Sequence, residues 1–229
     1  MSTAGHHPRL RLLRLLIGCF IFIGMPLAAW GLKDISLFFD DPARLWYIIL
    51  AALMQTAVVA VMPEAGHGGP GREGTKAGKF DLVLIQIIGL AIILSGAYSD
   101  RRGSAALGAP EAVRYLGLAL FIGGMALMQW AEAALGRQFS IKVELQNGHR
   151  LVTSGPYTVI RHPRYAGNLI FFTGYCLTFR SWAALVLVAL MAGVLLWRIW
   201  AEEEIMRQEF GDEWVAYAKR TWRLVPGLF

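Results

Sequence analysis

Cysteine is scarce in this sequence, and charged residues are fewer than in soluble proteins. The two cysteines among 229 residues, Cys19 and Cys176, both lie inside apolar runs, so neither a disulfide framework nor a cysteine-based metal site is supported. Charged residues make up 17% of the chain and hydrophobic residues 56%, and the mean hydropathy is +0.48. This composition is too apolar for a soluble globular domain. We therefore predict an integral membrane protein that partners the lipid bilayer and binds no metal.

Acidic residues are fewer than basic ones, and this balance bears on the class of partner. The sequence contains 16 Asp and Glu against 22 Lys and Arg, a formal net charge of +6. In a soluble chain this excess would suggest nucleic-acid binding. Here the basic residues lie mostly between apolar runs, where Lys and Arg set the orientation of membrane spans. No nucleic-acid partner is expected.

Long apolar runs fill the first 135 residues. A helix of about 20 apolar residues is long enough to cross the ~30 Å hydrocarbon layer. Within these runs Gln55 and Gln86 are expected to face other helices, and Ala119 and Gly123 form a small-xxx-small pair that predicts close helix packing. Four runs predict four transmembrane helices, at residues 15–32, 45–63, 82–99 and 115–131.

The second part of the chain has a different pattern. Residues 138–153 alternate apolar and polar side chains before and after a turn signal, which predicts a short hairpin or an extended loop. Residues 166–179 and 181–197 are uncharged and are separated by Arg180 alone. The first of these limbs is short for a full span, so we predict a helical hairpin with Arg180 near its tip. The predicted fold class is thus all-α and polytopic, with four transmembrane helices, a cytoplasmic loop, this hairpin and a C-terminal cytoplasmic helix.

The distribution of Lys and Arg predicts which side of the membrane each part occupies. If every run crosses the membrane, 16 basic residues fall on the side that holds both termini and the polar segment, which we define as residues 149–165. Six fall on the other side. The positive-inside rule therefore places both termini and the polar segment in the cytoplasm, where a soluble cofactor has access to them.

The polar segment carries three rings next to prolines. Tyr157, His162 and Tyr165 are interfacial residues in one interpretation and a binding surface for a cation in the other. Pro156 and Pro163 restrict the backbone beside them, so the rings are expected to be held in a fixed geometry.

A group of charged residues lies at the end of the last apolar run. Arg198 and Glu202 are four residues apart on one helical face, and Glu203 follows directly. An ion pair at the membrane boundary is one interpretation. The other is a polar pocket, roofed by Trp197 and Trp200, because the polar segment is predicted on the same membrane face.

Four motifs follow one another in the second half of the chain. The motifs read H-x-L-V-T-S-G-x-Y at 149–157, R-H-P-x-Y at 161–165, R-x-x-x-E-E at 198–203 and F-G-x-E-x-x-x-Y at 210–217. Their order, with an apolar hairpin between the second and third, resembles the isoprenylcysteine carboxyl methyltransferase family, whose superfamily also includes phospholipid methyltransferases. The first four spans match that family only as hydrophobic runs.

The resemblance implies a membrane methyltransferase that uses S-adenosyl-L-methionine and methylates the carboxylate of a lipophilic acceptor such as prenylcysteine. It implies catalytic roles for Arg198 and Glu203, with the guanidinium holding an anionic acceptor. It implies a division into N-terminal transmembrane helices (1–135) and a methyltransferase core (136–229). The cofactor contacts that it implies are His149, Arg150, Leu151, Val152, Tyr157, His162, Pro163, Arg164, Tyr165 and Glu202.

Other functions stay open on the sequence alone. A phospholipid or small-molecule N- or S-methyltransferase fits the same motifs. A sterol-reductase-like enzyme has a related C-terminal architecture and uses a nicotinamide cofactor, although the spacing from Arg198 to Glu203 favours the methyl donor. A channel is disfavoured, because channels have polar residues along several spans.

We expect an Arg150→Cys variant to resist a membrane-impermeant thiol reagent that is added outside intact cells. The reason is the cytoplasmic position that the uneven distribution of basic residues predicts. Labelling of position 150 from outside, before the cells are opened, would contradict this orientation.

Overall fold

Helices make up most of the chain in the computed structural model, which describes residues 8–61, 76–136 and 151–229. Five helical stretches in these ranges are long and apolar enough to cross a membrane, so the predicted all-α membrane class is confirmed. The helices are α1 (Pro8–Cys19), α2 (Met25–Trp30), α3 (Ile35–Phe39), α4 (Pro42–Val61), α5 (Lys76–Arg102), α6 (Ala112–Leu135), α7 (Pro163–Thr178) and α8 (Trp182–Lys219).

Each of the four predicted N-terminal runs overlaps one of these candidate spans, and the runs at 82–99 and 115–131 lie entirely within theirs. The spans cover Arg9–Trp30, Pro42–Val59, Phe80–Arg102 and Ala112–Leu135, and α8 is the fifth. The structure therefore begins its first span six residues earlier than the apolar run, because arginines near a helix end extend their charged groups towards water.

The first span contains a wide π-helical turn at Phe20–Gly24, between α1 and α2. Pro26 follows this turn and has no N–H, so the carbonyl four residues earlier loses its usual donor. That carbonyl belongs to Phe22, and it accepts a hydrogen bond from the Tyr47 hydroxyl of α4 at 2.6 Å. The first two spans are thus joined through a group that is costly to leave unpaired in lipid.

Helices α6 and α7 pack through their backbones. Gly117 and Gly124 of α6 face Gly174 and Gly167 of α7, and a Cβ atom built on any of the four would lie 2.3–2.8 Å from the nearest atom of the other helix. Only glycine fits at such distances. This contact fixes where α7 begins, and therefore where the polar segment lies against the bundle.

The predicted close packing at Ala119 and Gly123 is wrong. Both residues are exposed on the outer face of α6, and a Cβ atom on Gly123 would have no neighbour within 4 Å. The glycines that do pack are seven residues apart. Seven residues are almost two full helical turns, so they return to the same face.

The two mid-span glutamines differ in their surroundings. Gln55 is 6% exposed, and its amide fills the space beside Gly18 of α1, so its predicted contact with another helix is confirmed. Gln86 is exposed on the surface of α5, so its predicted contact is wrong within the residues that the structure describes.

Helices α7 and α8 form the predicted hairpin, and Arg180 lies in its turn with a φ of 46°. The Ser181 hydroxyl accepts a hydrogen bond from the Ala184 N–H and caps α8. Leu107 donates its N–H to the Arg180 carbonyl, which attaches the turn to the preceding connection. The prediction that the hairpin has its tip at Arg180 is therefore confirmed.

The predicted C-terminal helix is the last part of α8 and follows a kink at Gly211. Helix α8 runs without a break from the hairpin turn through the charged residues after Trp197, and its backbone departs from helical geometry at Gly211, where φ is 52°. The residues between Glu202 and Phe210 are mostly strong helix formers, so the helix continues beyond the apolar run. It bends only where glycine tolerates a positive φ.

A buried ionic network closes the end of the bundle where α5 finishes. Asp100 accepts hydrogen bonds from Arg114 at 2.7 Å, Arg44 at 2.9 Å and the Trp30 indole at 3.0 Å. Arg114 also donates to the Thr178 carbonyl at 2.7 Å. Two of the six basic residues that the sequence assigns to the second membrane side thus share one end of the bundle. Their charges are paired, which lowers the cost of burying them.

The loop predicted for residues 138–153 lies mostly outside the described residues. Its last part, residues 151–153, belongs to no helix or strand and leads into a short 3₁₀ turn at Gly155–Thr158.

We expect Gly124→Ala to lower the free energy of unfolding by at least about 1–3 kcal/mol, because the new methyl group would overlap the backbone of α7. The neighbouring Gly123→Ala variant is the matched control and should leave stability unchanged or slightly higher. Thermal unfolding in detergent measures both. Equal stability of the two variants would mean that α6 and α7 do not pack through their backbones.

Candidate active site

The candidate site lies at the end of the bundle opposite the ionic network, where α5 and α7 begin and α8 passes between them. Arg198 of α8 is at its centre, and it is only 2% exposed. A buried guanidinium needs several acceptors, because an unpaired charge in an apolar surrounding is very costly.

Three side chains accept hydrogen bonds from Arg198. Its Nε donates to the Tyr165 hydroxyl at 2.7 Å and to Glu202 at 3.0 Å, and its Nη1 donates to Asp81 at 3.0 Å. Tyr165 in turn donates its own hydroxyl proton to Glu202. These contacts join α5, α7 and α8 in one buried cluster, which we call the arginine cluster (Asp81, Tyr165, Arg198 and Glu202).

His162 lies beside the arginine cluster. Its ring is parallel to that of Tyr165, with centroids 5.6 Å apart and an interplanar angle of 6°. Its Nδ1 is 3.6 Å from Glu202, and its Nε2 is 3.4 Å from Glu203. Pro163 is the first residue of α7 and fixes the backbone directly after His162. The sequence R-H-P-x-Y therefore places both rings on the same side of the helix start.

Glu203 points to a different set of partners. It accepts hydrogen bonds from Arg161 at 2.8 Å and from Arg223 at 2.9 Å. Arg161 also donates to the carbonyls of Ala218, in the last turn of α8, and of Thr221, just after that helix. The two arginines and Glu203 thus fasten the C-terminal tail against the polar segment.

Backbone hydrogen bonds strengthen this attachment. The N–H groups of Arg161 and His162 donate to the carbonyls of Trp222 and Arg223, at 2.7 and 3.0 Å. Trp222 donates its own N–H to the Val159 carbonyl at 2.9 Å. We call this combination of the Glu203 ion pairs and the backbone pairing the tail clasp. Because the tail clasp holds the backbone of Arg161 and His162, directly before Pro163, it limits how far His162 is able to move.

Tyr157 is buried under the same tail. Its carbonyl accepts a hydrogen bond from the Tyr217 hydroxyl at 2.8 Å, which connects the first and last of the four motifs. Burial raises the pKa of the Tyr157 phenol well above its usual value, so the group stays neutral at physiological pH. Gly155 precedes it with a φ of 61°, a conformation that glycine adopts readily.

The remaining predicted contacts are distributed around this core. Arg164 turns away from Arg198 and donates to Glu132 of α6 at 3.0 Å, and Pro163 is buried. Leu151 and Val152 are half-buried. His149 and Arg150 lie outside the described residues.

The structure therefore brings together Tyr165, His162, Arg198 and Glu202, with Glu203 as the next neighbour. The predicted roof of Trp197 and Trp200 is wrong. These side chains are 52% and 63% exposed and lie on the outer faces of α8, as expected for tryptophans at a membrane interface.

Asp81 is the site residue that the sequence analysis missed. It directly precedes the third apolar run, where an acidic residue close to lysines resembles an ordinary residue at a membrane boundary. A carboxylate at the edge of a span is a signal for function, because such groups are costly in a membrane unless they have a partner. Its partner lies 117 residues away, and that distance hides the pairing from sequence patterns.

Comparison with known proteins identifies relatives for the region that carries the motifs. The phospholipid methyltransferase family model matches residues 112–213, from the start of α6 to just beyond Gly211. Protein-S-isoprenylcysteine O-methyltransferase B of Arabidopsis thaliana is 35% identical over 117 residues, which cover 48% of this chain and 57% of the relative. A Delta(14)-sterol reductase of Ascobolus immersus is 33% identical over 87 residues, which cover 37% of this chain and only 20% of that protein.

A solved structure has the same fold over almost the whole chain. It is that of the eukaryotic intramembrane Ras methyltransferase ICMT (isoprenylcysteine carboxyl methyltransferase), and it matches with a TM-score of 0.53 at 18% identity, over 96% of this chain and 74% of that one. The motif region is thus similar to isoprenylcysteine O-methyltransferases and matches the phospholipid methyltransferase family model, and the chain has the fold of the solved structure.

The range matched by the phospholipid methyltransferase family model includes most of the site. Tyr165, His162, Glu202 and Arg198 lie inside it, whereas Asp81 lies before its first matched residue. The chain spans less than two thirds of the length of the curated methyltransferases that it matches, 57% for the Arabidopsis protein.

We expect Glu203→Gln to weaken the tail clasp, because it removes the charge that holds Arg161 and Arg223. The loss should be about 2 kcal/mol of stability, the usual value for hydrogen bonds to a charged group. Glu204→Gln is the matched control, since Glu204 is exposed and solvent screens its pair with Arg207, so the change should affect stability much less.

Limited proteolysis after Lys219, together with thermal unfolding, measures both variants. Faster cleavage in Glu203→Gln than in Glu204→Gln is the expected result. Equal cleavage would show that Glu203 does not hold the tail.

Proposed function

We propose that this protein is an S-adenosyl-L-methionine-dependent integral membrane methyltransferase that methylates a carboxylate oxygen of a lipophilic acceptor such as prenylcysteine. The observation that carries the proposal is the arginine cluster, because it combines the R-H-P-x-Y and R-x-x-x-E-E motifs around one buried guanidinium. The names of the Arabidopsis relative and of the matching structure support the same reaction.

The residues of the site suit the charge of the methyl donor. S-adenosyl-L-methionine supplies an electrophilic methyl group on a positively charged sulfonium. Asp81 and Glu202 carry two negative charges against one positive charge on Arg198, so the arginine cluster has an excess negative charge for a cation. The parallel rings of His162 and Tyr165 add aromatic faces, which also attract cations.

We propose that Arg198 binds the acceptor carboxylate and directs one of its oxygens towards the methyl group. A planar guanidinium holds a carboxylate by two parallel hydrogen bonds, and this fixes the direction of the oxygen. A carboxylate is already nucleophilic, so no general base is required and positioning supplies most of the rate enhancement. Arg198 follows the apolar limb of α8 directly, a depth that suits a headgroup attached to a lipid chain.

We assign the cofactor contacts to the residues that the family resemblance implies, with Glu202 as the principal counter-charge. Glu203 was expected to be catalytic, but its contacts with Arg161 and Arg223 favour a positioning role, in which it holds the tail and thereby the backbone before His162. The proposed cofactor contacts are His149, Arg150, Leu151, Val152, Tyr157, His162, Pro163, Arg164, Tyr165 and Glu202.

The proposal includes the orientation inferred from the basic residues, with both termini and the site in the cytoplasm. The division at residues 135 and 136 stays a prediction. The family model begins earlier, at α6, and Asp81 of α5 contacts Arg198, so the proposed site draws on both sides of that division.

A phospholipid acceptor is the second candidate, favoured by the description of the matching family model. A nitrogen acceptor must be neutral to react, so it has no charge attraction to the guanidinium of Arg198. This makes a nitrogen acceptor less suited to the site than a carboxylate. A nicotinamide-dependent reductase has weaker support, because its relative matches over only 20% of its length.

The experiment that tests the function uses the purified protein in detergent. We expect isothermal titration to show binding of S-adenosylhomocysteine and none of NADPH. Labelled methyl donor should be transferred to a prenylcysteine derivative in a form that base hydrolysis releases as methanol, as it does from an ester. NADPH binding without S-adenosylhomocysteine binding would refute the proposal, and base-stable label on a lipid amine would support the second candidate.

In the same assays we expect Arg198→Lys to lose far more turnover than cofactor affinity. Lysine keeps the charge but loses the planar fork, so the acceptor oxygen is no longer fixed. Glu202→Gln should also weaken binding of S-adenosyl-L-methionine, by roughly 10- to 100-fold, because a charge-assisted contact of about 1.5–3 kcal/mol to its cationic group is lost. Full turnover in Arg198→Lys, or an equal loss of cofactor affinity in both variants, would show that Arg198 and Glu202 form only a structural ion pair.

A further inference from the structure

Asp81 holds Arg198 from a helix that carries none of the four motifs. It lies in the first turns of α5 and is 5% exposed. Its Oδ2 accepts a hydrogen bond from the Nη1 of Arg198 at 3.0 Å. Arg198 therefore has acceptors at two different nitrogens, Glu202 and Tyr165 at Nε and Asp81 at Nη1.

This geometry restrains the guanidinium in a way that the motif residues alone do not. Hydrogen bonds at Nε fix one edge of the planar group but leave rotation about that edge. A second, charge-assisted hydrogen bond at Nη1 removes this rotation. The contact also crosses between helices, because Asp81 is on α5 and Arg198 is on α8.

The carboxylate at position 81 is costly for stability. Its Oδ1 is buried and makes no hydrogen bond within the described residues. A buried carboxylate with one unpaired oxygen destabilises the fold, and an ionisable group at the end of a membrane span points to a functional role. The contact with Arg198 is the one that accounts for a charge at this position.

We propose that Asp81 is a positioning residue that sets the orientation of Arg198 for the acceptor carboxylate. The inference rests on the proposed methyltransferase function and extends it to a residue outside the matched region. Asp81 also lowers the attraction of Arg198 for an anion, because it already neutralises part of the positive charge. It therefore favours alignment of the acceptor over tight binding of it.

This double effect predicts an unusual split between kcat and KM. In Asp81→Asn the guanidinium loses a negative neighbour, so the acceptor carboxylate should bind at least as tightly. The same guanidinium is less well oriented, so kcat should fall about tenfold or more. We expect the affinity for S-adenosylhomocysteine to change by less than about threefold, because this ligand lacks the sulfonium charge of the methyl donor and Glu202 keeps its place.

Asp100→Asn is the matched control. It makes the same substitution in the same helix and also removes the charge from a buried arginine pair, but it lies about 28 Å away along the helix axis. It should lower thermal stability without changing kcat or KM per molecule of protein that binds S-adenosylhomocysteine. A general effect of losing a buried charge would instead lower kcat in both variants.

The assay uses full-length protein and an S-farnesylcysteine derivative with a carboxylate, with rates divided by the concentration of S-adenosylhomocysteine sites. A tenfold lower kcat in Asp81→Asn with a KM that does not rise supports the proposal. An unchanged kcat, or a higher KM at an unchanged kcat, overturns it. If Asp81→Asn does not fold, Asp81→Glu carries the test, since it keeps the charge but displaces the oxygen; it too must lower kcat without raising KM.

A double variant separates this role from a purely structural one. Because Asp81 acts through Arg198, adding Asp81→Asn to Arg198→Lys should lower kcat by less than about twofold further. Multiplicative losses in the double variant would overturn the proposal. Wild-type protein that neither binds S-adenosylhomocysteine nor transfers methyl groups refutes the proposed function and the role of Asp81 together, whereas normal wild-type activity with an unaffected Asp81→Asn refutes the role of Asp81 alone.

Discussion

The buried positive charge of Arg198 is the constraint on which the rest of this structure depends. A guanidinium that is 2% exposed at the end of an apolar helix is stable only if acceptors reach it from several directions. The chain supplies them from α5, α7 and α8, so these helices must begin or pass at the same level of the bundle. The tail clasp then fixes the segment before α7, and with it the ring of His162.

Both ends of the bundle pair buried arginines with carboxylates. At the far end, Asp100 receives three donors, and Arg114 also lies within ion-pair distance of Asp41 and Glu111. At the site end, Arg198 is paired with Asp81 and Glu202, and an oxygen of Asp81 has no hydrogen bond among the described residues. A buried polar atom without a partner destabilises the fold, and this one lies next to the arginine to which we assign the acceptor.

The sequence predicted the helical class, the hairpin at Arg180 and the shared helical face of Arg198 and Glu202, because each depends on a local pattern. Apolar runs mark spans, a lone arginine marks a turn, and residues four apart share a helical face. The roles of Ala119 and Gly123 and the contact by Asp81 were not predictable in the same way. Both depend on which faces of distant helices meet, and a single sequence does not record that information.

The backbone contact between α6 and α7 also determines where the protein is deformable. Helices that interlock through glycines at two levels cannot separate without breaking both contacts, so they move as one rigid plate. For the acceptor that we propose, with its long hydrocarbon chain, we therefore expect entry beside this plate, between helices that pack through larger residues. The α5 and α8 side, next to Arg198, is where we expect the bundle to open for it.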